Sequence, residues 1–171
     1  TFDVSLMEVE DGVFQVVATD GDPCLGGNDF DQRIVEFVMD EFRRKEGVNL
    51  TEDTYALHKI FQEAERVKKE LSRFQTSFFC LPFITADNKG PKHIDVEITR
   101  DIFRVIAGDL VNRMEGPIYS VLDYANLSPQ DIDSVILVGG MGKCFLVREK
   151  VASIFGDKLL SGIDPQECVA Y

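Results

Sequence analysis

Residues 133–143 read DSVILVGGMGK. The run from Val135 to Val138 is wholly apolar and mostly β-branched, so DSVILV is predicted as a short buried strand. Gly139 and Gly140 follow at once, and a helix is expected from about 143 to 155. Glycines at a strand's carboxyl end let backbone approach a ligand closely. A helix behind them offers unpaired N–H groups and the positive end of its dipole. That geometry suits a phosphate or a nucleotide edge. A tight strand-to-helix turn also needs glycine, so the stretch points to an α/β fold before it points to a ligand.

Upstream, FDVSLMEV and GVFQVVATD are two β-rich runs joined by Glu10, Asp11 and Gly12, a hairpin signal. Apolar residues fall on both alternating faces, so this sheet is expected to be covered on both sides. LGGNDFD then opens an amphipathic helix with Phe30, Ile34, Phe37, Val38 and Phe42 at helical spacing, ended by Gly47. Thr51 is the expected cap of a second helix, whose stripe is Leu57, Ile60, Ala64, Val67, Leu71 and Phe74. Residues 76–98 read as another hairpin, turning at Asp87–Pro91. Thr99 caps a third helix, with Ile102, Phe103, Ile106, Leu110, Met114, Ile118 and Val121 inward. Ser128-Pro129 starts a short helical turn, and Asp164-Pro165-Gln166-Glu167 has the form of a capped helix start. The order is β-hairpin, inserted α/β unit, then β-loop-α. One subdomain is placed at 1–25 plus 108–171 and the insert at 26–107.

The net charge of −12 repels nucleic acid phosphates and anionic lipid, and it favours solubility, the ordinary solvated acidic surface, or a basic partner. No apolar run approaches the roughly 18–20 residues that span a bilayer. Cys24, Cys80, Cys144 and Cys168 are too few for a disulfide scaffold, and neither they nor His58 and His93 have metal-site spacing. A reducing compartment is favoured.

Three further features are chemical candidates. Gly26-Gly27 before Asn28 and Asp29 is a second glycine turn opening a helix, which an ordinary capped start also explains. Asp3 is an acid within a strand, where acids are disfavoured, and could hold a cation or a phosphate-bound metal as well as face solvent. On the second helix Glu65, Lys68, Lys69 and Ser72 fall within an arc of roughly 100° bordering the apolar stripe. They could bond a ribose and a base, or form a solvated face with an i, i+3 pair.

Taken together these segments resemble the heat-shock protein 70 family in its DnaK-like and mitochondrial form. TFDVS resembles its phosphate motif Gly-Gly-Thr-Phe-Asp, and ATDGDPCLGGNDFD its Leu-Gly-Gly-Glu-Asp-Phe-Asp turn. EAERVKKELS resembles its adenosine-contacting helix, LPFITADNKGPKH a stretch of bacterial and mitochondrial members, and DSVILVGGM and DPQECVAY its closing motifs. The resemblance runs from Thr1 to Tyr171 in one order.

It implies an α/β, actin-like ATPase lobe (a ribonuclease H-like core) with an inserted α+β subdomain, the second lobe of a nucleotide-binding domain. By the resemblance Thr1 lies near the γ-phosphate and Asp3 near the metal and potassium environment. Gly26 and Gly27 lie near the cleft. Glu65, Lys68 and Ser72 bond the adenosine, with Lys69 and Lys143 against adenine and Gly139 and Gly140 on the phosphate and ribose side. No catalytic residue falls in this sequence: the catalytic lysine and acids belong to the first lobe. The implied cofactors are ATP or ADP with Mg²⁺ and K⁺. The implied partners are the first lobe and peptide-binding domain of the same protein, a nucleotide-exchange factor gripping the insert, a J-domain co-chaperone and unfolded clients. Neither nucleic acid binding nor membrane insertion is implied.

Asn28, Lys69, Met141, Gly142, Lys143, Cys144, Phe145 and Gln166 depart from the usual family pattern. Lysine supplies a stem and a point charge where arginine would stack. The leading expectation is therefore an ATP-dependent chaperone for folding or import, active as ATPase only in the full protein. The alternative is a non-catalytic member, an interaction module for exchange factors or co-chaperones. The expected location is the mitochondrial matrix or a mitochondrion-derived organelle, with a bacterial-type cytoplasm as the alternative.

Overall fold

The structure, a computed structural model, describes residues 1–160. The expected helix start at Asp164–Glu167, the DPQECVAY motif, Gln166 and Cys168 lie outside the described residues. The chain divides into two compact units, Thr1–Gly27 with Asp109–Tyr171, and Asn28–Gly108. Each is α/β.

In the first unit β1 (Phe2–Glu10) and β2 (Val13–Asp22) form an antiparallel two-stranded sheet. Asp11 and Gly12 turn between them, both with positive φ, as a tight two-residue hairpin requires. Leu6 pairs with Ala18 but Met7 with Val16, so Val17 is an extra residue that bulges the ribbon. Beyond the bulge Met7, Val9, Val13, Phe14 and Val16 are all more than half exposed. The expected cover on both faces is thus not found among the described residues. Among the described residues the sheet has two strands, and α4 (Glu115–Ala125) lies along it.

DSVILV is not a strand either. Val135 makes a single parallel bridge to Leu159, while Ile136 and Val138 are exposed. Among the described residues its neighbours to either side have no ladder, and only alternate side chains are half-buried. The Gly140–Lys143 turn follows, and then α5 (Phe145–Phe155), whose Phe145, Leu146, Val147 and Val151 are buried. Pro129–Asp131 is the expected short turn. Ser128 and Asp131 close it as a capping box, the Ser128 hydroxyl donating to Asp131 Oδ2 at 2.6 Å.

The second unit packs α1 (Gly27–Glu46) and α2 (Thr54–Leu71) with the hairpin of β3 (Thr76–Asp87) and β4 (Gly90–Thr99). Its core joins Ile34, Val38, Ile60, Val67, Leu71, Phe79 and Ile98, all fully buried. Phe30 meets Phe103 edge-on at 6.3 Å. Gly47 ends α1 with positive φ, as expected. The cap of α2 is Asp53 rather than Thr51. The Ala56 N–H donates to Asp53 Oδ1 at 2.9 Å, three residues on, where a cap can reach. Phe74, expected on the stripe, falls after the helix and is exposed.

β3 carries a wide irregularity around Pro82 and Phe83. Proline cannot donate to the ladder there. Phe83 takes a positive φ, and its N–H donates to His93 Nδ1 at 2.8 Å. The Thr99 hydroxyl caps α3 (Arg100–Arg113) by accepting from Ile102 N–H at 3.2 Å. The predicted single helix breaks at Met114, and α4 begins at Glu115. The ring of Pro117 would meet the Arg113 carbonyl, and proline offers no N–H to it.

Candidate functional site

The expected site residues fall in both units. In the first unit Thr1 stands just before β1, and its hydroxyl donates to Asp3 Oδ2 at 2.8 Å. Asp3 pairs across the ladder with Gly21. A Cβ on Gly21 would lie 2.4 Å from the Phe2 carbonyl oxygen and 3.2 Å from Asp3 Oδ1. Only glycine fits, so Gly21 holds the start of β1 close and sets where Asp3 stands. Sequence reasoning passed over it, although it sits inside the quoted ATDGDP stretch. Asp22 and Arg113, also passed over, tie the next segment down. Arg113 Nε donates to Asp22 Oδ2 and its terminal nitrogen to the Cys24 carbonyl, both at 3.0 Å. The Cys24 N–H and Arg113 hold the Asp22 carboxyl below the usual range. Gly26 and Gly27 lead from there into α1, with Gly27 its first residue.

Gly139 has φ of 78°, a conformation natural to glycine alone. A Cβ there would meet nothing within 4 Å, so the glycine serves the backbone angle and leaves open space above it. The Gly142 N–H donates to the Gly139 carbonyl at 3.1 Å, closing the turn that carries Gly140 and Lys143. Gly142 is buried within it. Among the described residues no three or more His, Cys, Asp or Glu side chains gather as a metal cluster. Asp3 has the Thr1 hydroxyl beside it. That donor set fits Mg²⁺ held chiefly by phosphates and water, which takes only one or two carboxylates from protein.

In the second unit the polar arc of α2 is resolved into pairs. Lys69 Nζ meets Glu65 Oε1 at 2.7 Å, with both side chains exposed. The Lys69 ammonium bonded to it holds the Glu65 carboxyl below its usual range. Ser72 caps the helix's carboxyl end, its hydroxyl turned toward the Lys68 carbonyl at 3.4 Å. Lys68 differs from its expected place on a bordering face. It is 8% exposed, and its ammonium donates to Asp31 Oδ2 of α1 at 2.8 Å. Asp31 is 6% exposed, and its other oxygen has no hydrogen-bond partner among the described residues. Burial pushes the Asp31 carboxyl up, opposed by Lys68. Asp31 is the clearest residue that sequence reasoning missed. An acid in register with the buried Ile34 and Val35 of an apolar stripe was the available signal.

Asp31, Glu65, Lys68 and Lys69 are two acids and two bases, so the quartet is neutral overall. A neutral, hydrogen-bonding face suits a nucleoside better than a phosphate. The open glycine turn after Val138 suits the phosphate better. Elsewhere in the first unit, Val16–Asp20 of β2 and Ser120, Val121 and Tyr124 of α4 border an open groove, which none of the expected site residues lines. The family model described as Hsp70 protein matches the chain over residues 1–171.

Proposed function

Because this chain belongs to the Hsp70 family, we propose that it is the second lobe of an ATP-dependent chaperone's nucleotide-binding domain. Members of the family are in general ATPases that bind ATP or ADP with Mg²⁺ and work with co-chaperones and clients. On this reading Glu65, Lys68, Lys69 and Ser72 take the adenosine. Thr1, Gly139 and Gly140 take the phosphate side, Asp3 the water around the metal and potassium, and Lys143, by the resemblance, adenine. Gly26 and Gly27 shape the approach. The insert of residues 26–107 is the part an exchange factor grips, and a J-domain co-chaperone and peptide clients act through the whole protein. The LPFITADNKGPKH stretch favours a mitochondrial matrix or related organelle, or else a bacterial-type cytoplasm, which localisation of the tagged full protein tests.

The exposed Glu65–Lys69 pair on α2, with Ser72 at its end, carries this reading. Titration of the full protein with ADP and with pyrophosphate tests it. Glu65→Ala removes a charged acceptor, worth about tenfold in ADP affinity, and should leave pyrophosphate binding unchanged. Gly139→Val should weaken both, because the side chain cannot take that backbone angle without strain. Failure of the full protein to bind ADP, or loss of pyrophosphate binding in Glu65→Ala, overturns the assignment. The interaction-module reading has one observation in its favour, the unusual Met141–Phe145 loop. It predicts ADP binding without turnover.

A further inference from the structure

The Asp31–Lys68 pair links the second turn of α1 to the nucleotide-facing helix α2, at 2.8 Å and with both side chains about nine-tenths buried. Asp31 exposes almost nothing, and its second oxygen is sealed from solvent without a donor among the described residues. It is therefore not placed to touch a ligand. Nor does stability account for it, since burying two charges costs about what their attraction returns. What the pair does is geometric. A surface lysine samples many rotamers, but one whose ammonium is held by a buried carboxylate has a single course along its helix. Glu65 and Lys69 stand one turn or less from Lys68 and bear on the Asp31 carboxylate through space. The direction of Lys68 thus also settles how the exposed Glu65–Lys69 pair is spaced from it.

We propose that Asp31 is a positioning residue of the nucleoside face, fixing Lys68 and through it the affinity for adenine nucleotides, without contacting the ligand. This rests on the reading of α2 given above. It also makes the Gly26-Gly27 turn part of the site indirectly, because the turn sets where α1 begins and so where Asp31 stands.

A double-mutant cycle on the full protein tests the proposal, with ADP titrated calorimetrically. Lys68→Met should weaken ADP binding about tenfold, as loss of a charged donor does. Asp31→Asn should weaken it about threefold or more, and should add nothing on the Lys68→Met background. Asp31→Glu keeps the charge and the fold but displaces the oxygens, and should behave in the same way if Asp31→Asn does not fold. A loss that is equal in both backgrounds would mean a general loosening of α1 against α2 and would overturn the proposal. So would wild-type affinity in both Asp31 variants while Lys68→Met binds weakly, a result that leaves the nucleoside reading standing. If Lys68→Met and Glu65→Ala both bind ADP as wild type does, the two ideas fall together.

Discussion

Gly21 shows how much a single position can settle. Its missing side chain lets β2 pass the Phe2 carbonyl oxygen at a distance that a Cβ would cut to 2.4 Å. That oxygen is backbone, so it cannot swing aside as the end of a long side chain could. Gly21→Ala must therefore shift one strand against the other at the very place where Asp3 stands. We expect a loss of about 1–3 kcal/mol in urea unfolding of the chain, the usual cost of overpacking. A loss below about 0.5 kcal/mol would mean that the ribbon yields there freely. At this scale the sequence was readable where type alone decides, as at Gly12, Gly47 and Gly139. It was not readable where the reason is a neighbour from another segment. Gly21 is one case. Lys68 is the other: helical spacing put it beside the apolar stripe, but only the fold brings Asp31 under it.

Among elements, the α1–α2 contact has a pH dependence whose sign can be worked out. Burial raises the Asp31 carboxyl above its ordinary value near 3.8, more than Lys68 lowers it. The native state then holds this proton more tightly than the unfolded chain does. Asp31's contribution is thus fully present below the unfolded value and is lost as pH rises through the raised native one. The other carboxylates are common to wild type and Asp31→Asn and cancel in the difference. Wild type minus Asp31→Asn, measured by urea unfolding at steps from pH 3 to 7, should fall as pH rises past about 4 and then level off. A difference that rises instead would mean that the Lys68 bond outweighs burial. The same element pair shows why boundaries were harder to read than elements. Thr51 and Asp53 are both good caps, and the choice between them depends on which can reach a free N–H three residues on. Pro117 gave notice of a break that the apolar spacing of Ile102 to Val121 concealed. DSVILV failed as a strand because β-propensity needs a neighbouring ladder, and a single bridge at Val135 is not one.

For the whole molecule, the α/β class and the family were legible because they depend on motif order along the chain, which TFDVS, LGGNDFD, EAERVKKELS and DSVILVGG carry without reference to packing. Chemistry is a different matter. Phosphoryl transfer needs little covalent participation from protein. It needs the γ-phosphate, metal and attacking water held in line, with positive charge over the developing negative charge. Within this chain the groups proposed for the phosphate side are one hydroxyl at Thr1, one carboxylate at Asp3 and the Gly139-Gly140 turn. None of these supplies a cation at the γ-phosphate. Lys68 and Lys69 of α2 are spoken for by Asp31 and Glu65, and the chain's charge of −12 opposes a polyanion generally. On the proposed reading, the lysine and acids that act on the γ-phosphate come from the other lobe. The 171-residue chain with Mg-ATP should therefore release no phosphate above buffer, while the full protein turns ATP over. Phosphate release would be followed across ion-exchange and size-exclusion steps, because traces of a host ATPase can imitate weak activity. Turnover that follows the chain through both steps, and is lost in Gly139→Val, would place the catalytic groups in this chain and overturn the division of labour. A full protein that binds ADP yet shows no turnover would instead favour the interaction module.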